Sequence, residues 1–268
     1  MDEFIKANKE MWDDRVDVHR NSEFYDVKGF LQGKQMLDPI ELEEVGDVYG
    51  KTLLHLMCHF GIDTLSWARL GAKATEVDFS EKAIKLAEDL SRQTGVNSRF
   101  IISDIYGLPD VLDEEFDIVF TSGGVLSWLP DLERWAKVIS LYVRRGGFFY
   151  IREFHPFAYV FDDQEGIQEL RFKYPYFTPE EPLRFENGST YADSAKLKTM
   201  VTYEWNHSIS RIINTLIESV LRIDFFNEFP FTTWKALPFL KKRSDRRWVL
   251  PVNQDSLPLM FSLRASKL

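Results

Sequence analysis

From Lys51 to Ile151 the chain alternates short apolar runs with segments whose apolar residues recur at three- and four-residue spacing. The first pattern suits strands buried on both faces and the second suits helices laid against them, so the region reads as successive βα units of a parallel sheet. The expected strands are Thr52-Leu53-Leu54-His55-Leu56, Ala74 to Val77, Phe100-Ile101-Ile102, Phe116 to Phe120 and Phe148 to Ile151. Between them a helix from about Ile62 to Leu70 stops at Gly71. Ser80 caps a second, in which Ala83, Leu86, Ala87 and Leu90 share one face before Gly95 closes it. Asp131 opens a third, with Leu132, Trp135, Val138, Ile139 and Tyr142 inward, and Arg144-Arg145-Gly146-Gly147 turns it into the fifth strand.

Outside this region the pattern changes. Phe4, Met11, Trp12 and Val16 mark an amphipathic N-terminal segment, read as a lid helix because aromatic residues in a terminal arm need a surface to pack on. His155 to about His207, rich in Pro, Phe, Tyr and acidic residues, reads as an inserted cap of loops and short strands. Helical spacing returns at Ile209, Ile212, Ile213, Leu216 and Ile217, followed by strand-like Leu221 to Phe226 and Leu257 to Leu263. The expectation is one domain: a lid over 1–50, a core over 51–154, a cap over 155–207, and a closing helix and strands over 208–268.

Charge narrows the partners. With 42 acidic and 33 basic residues the formal charge is −9, a field that repels phosphate backbones and anionic lipid surfaces, so a small molecule is expected rather than nucleic acid or a membrane. The exception is the basic cluster Lys241, Lys242, Arg243, Arg246 and Arg247, which reads as a solvated loop or as an anion or RNA contact. No run approaches the ~20 apolar residues of a membrane span, and Met1 to Arg20 lacks the apolar centre of a signal peptide. The lone Cys58 leaves no partner for a disulfide, which fits a reducing compartment; the cytoplasm is the expected location, and the oligomeric state stays open.

In an open α/β sheet a ligand sits outside the carboxyl ends of the strands, where strand order reverses. Those ends collect polar and small residues: His55 to Gly61, Asp78-Phe79, Asp104-Ile105, Ser122-Gly123-Gly124 and Glu153-Phe154-His155. Asp78 stands 17 residues beyond Gly61, near the ~20 expected of a carboxylate that accepts from both ribose hydroxyls of an adenosine ligand. With Ser80 two residues on, it also reads as part of a helix cap. His55, Cys58 and His59 fall on a strand and a turn with no further ligand cluster, so no metal site is expected.

The order of these pieces resembles the class I S-adenosylmethionine-dependent methyltransferases, strongly over Lys51 to Ile151 and more weakly to Leu263. Leu54 to Gly61 is similar to their first glycine-rich motif, Val77-Asp78-Phe79-Ser80 to the acidic ribose motif and Ser103-Asp104-Ile105 to the adenine-contacting motif. Phe116 to Val119 is similar to their fourth strand and Asp131 to Gly147 to the helix and turn that follow. A bacterial subgroup looks closer still, with runs like Leu-His-Leu-x-Cys-His-Phe-Gly, Val-Asp-Phe-Ser, Trp-Leu-Pro-Asp and Glu-x-His-Pro, all present here. The resemblance implies a Rossmann-like, mostly parallel seven-stranded sheet with helices on both faces and one antiparallel C-terminal strand. It also implies S-adenosylmethionine as cofactor and S-adenosylhomocysteine as product, held by His59, Phe60, Gly61, Asp78, Phe79, Asp104, Ile105 and Ser122, with Trp12 and Tyr25 from the lid. The chain departs from the pattern at Met57 and His59, where relatives place glycines that let backbone approach the cofactor. Either the loop takes a path that tolerates side chains, or cofactor binding has been lost. His55 also replaces an acidic residue.

Methyl transfer from a sulfonium is an in-line displacement, so orientation and exclusion of water dominate. A nucleophile that enters protonated needs a base, for which His155 and His207 are the candidates, with Glu153 as orienting carboxylate or cation anchor. Trp12, Tyr25, Trp128, Tyr191, Tyr203 and Trp205 suit either an aromatic lining for a cation or plain packing. Two other readings compete. A nicotinamide-dependent oxidoreductase requires a G-x-G-x-x-G turn, which does not follow the first strand; a non-catalytic binding or regulatory protein would keep the fold without the cofactor.

Overall fold

A computed structural model of the chain describes residues 3–186, 190–192, 197–198 and 201–268; of the expected cap, 187–189, 193–196 and 199–200 lie outside the described residues. In chain order the elements are α1 Glu3–Asn21, α2 Val27–Leu31, α3 Pro39–Val45, β1 Thr52–Leu56, α4 Ile62–Arg69, β2 Lys73–Asp78, α5 Glu81–Thr94, β3 Arg99–Ile102, β4 Phe116–Thr121, α6 Leu132–Tyr142 and β5 Val143–Phe154. They continue with β6 Leu183–Glu186, β7 Val201–Glu204, α7 Ile209–Glu218, β8 Arg222–Phe229, β9 Lys241–Lys242, β10 Trp248–Val249 and β11 Met260–Ser266.

Seven strands form one sheet in the order β3-β2-β1-β4-β5-β11-β8. Only β11 runs against the rest, pairing antiparallel with β5 and β8. Its burial explains its sequence: Leu53 packs with Trp67, Ile118 and Tyr150 on one face, whereas Leu54 and Leu56 pack with Val119, Trp135 and Ile151 on the other. Both faces must therefore carry helices, and the central strands are buried on both faces and mostly apolar, with His55 and Glu76 among the polar exceptions. On α5 the stripe Ala83, Leu86, Ala87 and Leu90 is buried, Ser80 Oγ accepts from Ala83 N at 3.0 Å, and Gly95 at φ 69° ends the helix. Each buried leucine contributes on the order of 1.5–3 kcal/mol.

Several boundaries differ from the sequence pattern. β5 starts at Val143, because Val143 pairs with Phe116 before the extra residues 144–147 of β5 bulge out and the parallel register resumes at Ile118 and Phe148. It also runs on to Phe154, placing Glu153 inside the strand. β11 begins at Met260 rather than Leu257, since Pro258 has no N–H for the ladder. Finally, residues 230–259 form a second cap: Leu237, Leu240 and Leu250 bury themselves with Ala158, Val160 and Phe161 of the first.

Candidate functional site

The strand order reverses between β1 and β4, and the loop after β1 lies at that crevice. Met57 and His59, the two residues that stand for glycines, adopt φ of 57° and 54°, with Gly61 at 71°. The chain thus holds the left-handed path without glycine, at about 1–2 kcal/mol for each substituted position. Hydrogen bonds fix it: Cys58 N donates to Val77 O at 3.0 Å, Gly61 N to Cys58 O at 3.0 Å, and His59 N to Asp78 Oδ2 at 2.8 Å. The loop therefore does not take the different path offered as one alternative from sequence but keeps a glycine-like one. At Gly61 a side chain would collide with the buried carboxylate of Glu76, whose Oε2 lies 1.8 Å from an ideal Cβ.

Asp78 ends β2 only 7% exposed. It accepts from His59 N, and from Ser80 N at 2.9 Å, leaving one acceptor direction free on each oxygen. Burial, reinforced by Asp13, holds it up at about 7 despite those two donors. Beside it a narrow cleft of about 40 Å³ runs between Asp78, Phe79, Asp104, Ile105 and Tyr106, roofed by Ile5 and Asn8 of α1 and by Trp128. Asp104 is shaped by accepting from Tyr106 N and Gly107 N, both at 3.0 Å.

The cleft shares Met57, Asp78, Phe79 and Trp128 with a cavity of about 1240 Å³. His59, Phe60, Gly61, Ser122, Trp12 and Tyr25 line that cavity. Ser122 Oγ is 3.3 Å from His55 Nε2, and His55 Nδ1 is 2.7 Å from Thr64 Oγ1, so His55 is a buried structural residue. α1 closes the mouth. Asn8 bridges to the backbone of Tyr203 through both amide atoms, Ser80 Oγ donates to Asp13 at 2.5 Å, and His19 Nδ1 shares a hydrogen bond with His59 Nε2 at 3.0 Å. Trp12 stands edge-on to Trp128 and His59, and Tyr25 and Tyr191 share a 2.5 Å hydroxyl contact. Of the six aromatic candidates only Tyr203 turns away from the cavity, packing on Phe4.

The three catalytic candidates, the bases His155 and His207 and the orienting Glu153, do not line either space. Glu153 accepts four backbone donors, Gly124, Val125, Leu126 and Phe154, at 2.6–3.1 Å. His155 Nδ1 accepts from Phe157 N and its Nε2 pairs with Glu228 at 3.0 Å; His207 Nε2 donates to Leu129 O at 2.7 Å. Residues that do face the cavity escaped the sequence reading: Arg15, Asp63, Tyr159, Glu204, Trp234 and the buried Arg152–Glu41 pair at 3.0 Å.

Burial shifts many of these groups. All five histidines are depressed, His19 and His55 to about 3, His207 to about 4, and His59 and His155 also below the usual value. Burial raises Asp63, Asp78 and Glu204 to about 7. A histidine kept neutral takes up its proton only on unfolding, so stability rises with pH until about 6.5; a carboxylate kept protonated releases its proton on unfolding, so stability falls between about 4 and 7. The two sets oppose each other below about pH 6.5, and above it only the carboxylates act. The melting temperature of the free protein is expected to change little from about pH 4.5 to 6.5 and to fall as pH passes through about 7, with Glu76, held well above the usual carboxylate range by burial, adding to the fall beyond it. A melting curve series in which stability climbs steadily to pH 8 contradicts this charge assignment.

Residues 54–151 match the family model described as a methyltransferase domain. Ubiquinone biosynthesis O-methyltransferase of Shewanella sp. (strain ANA-3) is 26% identical over 129 residues, covering 47% of this chain and 54% of that protein. The chain thus spans about half the length of the curated relatives it matches. A solved S-adenosylmethionine-dependent methyltransferase from Mesorhizobium loti superposes with a TM-score of 0.59 at 20% identity, over 88% of this chain and 99% of that one. The glycopeptide N-methyltransferase MtfA complexed with S-adenosylmethionine gives 0.52 at 16%, over 84% and 90%. The chain therefore carries a match to the methyltransferase domain over 54–151 and has the fold of the S-adenosylmethionine-dependent methyltransferases.

Proposed function

We propose that the protein is an S-adenosylmethionine-dependent methyltransferase acting on a small molecule. The observation that carries this reading is the loop from Met57 to Gly61, which keeps three left-handed residues and is tied by His59 N to a carboxylate with acceptor capacity to spare. Sequence drift would be expected to relax a strained loop that had lost its purpose. The domain match and the cofactor-bound MtfA support the same reading.

Asp78 would hold the ribose, Phe79, Asp104 and Ile105 the adenine, and the loop through His59, Phe60 and Gly61 with Ser122 the methionine end; Trp12 and Tyr25 would close over it. Bound S-adenosylmethionine supplies an electrophilic methyl group for in-line displacement. The chain's own part is to align the acceptor and exclude water, which α1 does by covering the crevice. With about 40 Å³ free, the adenine cleft admits a few waters only, so α1 lifts for ligand entry. The large cavity exceeds the roughly 300–1,000 Å³ of ordinary single-ligand sites, room for an acceptor beside the cofactor.

His155, His207 and Glu153 serve in this reading as supports that position the loops. Glu153 anchors the backbone that carries Trp128, and His207 ties the start of α7 to Leu129. His207→Ala is expected to lower stability by about 1–3 kcal/mol by leaving that carbonyl unpaired, with affinity for S-adenosylhomocysteine kept; a lost affinity in a well-folded variant returns His207 to the site. Calorimetric titration of the whole chain with S-adenosylhomocysteine tests the function: one site per chain supports it, and no heat at millimolar ligand favours the non-catalytic reading.

A further inference from the structure

We propose that the acceptor is a small molecule with an aromatic body and an amine, received as its ammonium by the carboxylate of Glu204 and by Oδ1 of Asn206 beside a wall of aromatic rings. That it is methylated rests on the methyltransferase reading; that it binds does not. Glu204 ends β7 and Asn206 follows two residues on, and both line the cavity. This segment is held against the cofactor crevice from two sides. Asn8, in the roof of the adenine cleft, exchanges hydrogen bonds with the backbone of Tyr203, and Trp205 N donates to Ser127 O at 2.8 Å in the turn that carries Trp128. Glu204 therefore stands at the seam between the adenosyl crevice and the rest of the cavity.

Both groups are acceptors that want a donor. Asn206 is 6% exposed, and its Nδ2 donates to Pro175 O at 2.8 Å and to Pro156 O at 3.4 Å. Carbonyls only accept, so this fixes the amide and leaves Oδ1 on the cavity without a donor among the described residues. A buried acceptor is normally satisfied, by protein, water or ligand. Glu204 is half-buried, and only Thr202 Oγ1 approaches it, at 3.5 Å. Arg15 is near enough to favour its charged form, yet the two form no ion pair among the described residues. The guanidinium stands instead 5.0 Å from the Trp12 ring and 5.7 Å from that of Trp128, at the methionine end of the crevice. An ammonium brings three donors and a positive charge, which complete both acceptors. Beside them runs a row of rings lining the same cavity: Phe154 lies 6.2 Å from Tyr159 and 5.7 Å from Trp234, and Trp234 lies 5.7 Å from Tyr191. Such walls suit a flat apolar body and attract a cation to their faces. Acidic residues outnumber basic ones along the cavity, so its field favours a cation over an anion. Burial holds Glu204 at about 7, within the range a general base needs. The ammonium gives one proton to Glu204, and the lone pair so freed forms the N–C bond. The methyl's bond to sulfur breaks as this happens, its electrons stay on sulfur, and Glu204 returns its proton to water.

The test compares three compounds that share one ring and differ in charge. The full chain is titrated with 2-phenylethylamine, with the uncharged 2-phenylethanol and with the anionic phenylacetate, each with and without saturating S-adenosylhomocysteine, following tryptophan fluorescence and heat. The amine is expected to bind about ten-fold or more tightly than the alcohol, the equivalent of one charge-assisted hydrogen-bonded contact, and the anion no more tightly than the alcohol. Glu204→Gln should abolish the amine preference while changing affinity for S-adenosylhomocysteine by less than about three-fold; Glu204→Asp and Asn206→Ala should each retain part of the preference. Should the glutamine variant fail to fold, Glu204→Ala takes its place, and the order of the three compounds on the parent chain decides the acceptor class without any variant. Equal or undetectable binding of the amine and the alcohol overturns the proposal, as does tighter binding of the anion or a Glu204→Gln variant that keeps the preference. If S-adenosylhomocysteine does not bind the parent, the methyltransferase reading fails, while the amine-to-alcohol ratio in the free chain still decides the role of Glu204.

Discussion

Replacing Gly61 by alanine is expected to destabilise the protein by about 3 kcal/mol, lowering its melting temperature by roughly 6–12 °C. Two causes add. A left-handed residue with a Cβ costs about 1–2 kcal/mol, and at φ 71° that atom would sit 1.8 Å from Glu76 Oε2. Glu76 is fully buried on β2, so its carboxylate has no solvent to swing into, and overpacking of this kind costs a further 1–3 kcal/mol or so. Glu76→Ala in the same chain removes the obstruction, and the double variant should recover the steric part while keeping the backbone penalty. Denaturant unfolding of the two single variants and the double one measures that coupling; a Gly61→Ala loss below about 0.5 kcal/mol, the size of an ordinary surface change, means the loop follows another path.

Asp78→Ala should weaken binding of S-adenosylhomocysteine by about 1.5–3 kcal/mol, roughly ten- to 150-fold. The carboxylate is proposed to grip the ribose, and it also organises the loop by accepting from His59 N and Ser80 N. Asp78→Asn keeps one acceptor oxygen and should fall between parent and alanine. Because burial holds Asp78 at about 7, affinity in the parent should rise as pH passes through about 7, where the carboxylate ionises and gains acceptor capacity, and the alanine variant should lack that rise. An unchanged affinity in Asp78→Ala removes the residue from the site.

The core of the sheet and its helices was legible because α5 and α6 each carry a buried apolar stripe and the central strands are mostly apolar on both faces. The left-handed backbone at Met57 and His59 was not, since those side chains argue against it and only the tertiary hydrogen bonds to Val77 and Asp78 impose it. Residue type pointed to His155, His207 and Glu153, but direction decides function. Strand parity and the following turn aim all three at backbone groups or at Glu228, a matter of pairing that composition does not carry. The lid carries a readable clue: Asn8, Met11, Arg15 and His19 recur at helical spacing, a buried stripe in which three of the four residues are polar. The second cap over 230–259 has no periodicity to reveal it, because its core is shared with Ala158, Val160 and Phe161 far away in the chain.

The central claim is that the crevice beside β1 and β2 receives an adenosyl ligand. A crystal structure of the S-adenosylhomocysteine complex tests it most directly. The account expects the base between Phe79 and Ile105, the ribose hydroxyls on Asp78, and the homocysteine end along Met57 to Gly61, with α1 displaced outward or closed down over it. Density for the ligand elsewhere, or a crevice that stays shut by Ile5, Asn8 and Trp128 at saturating ligand, contradicts it.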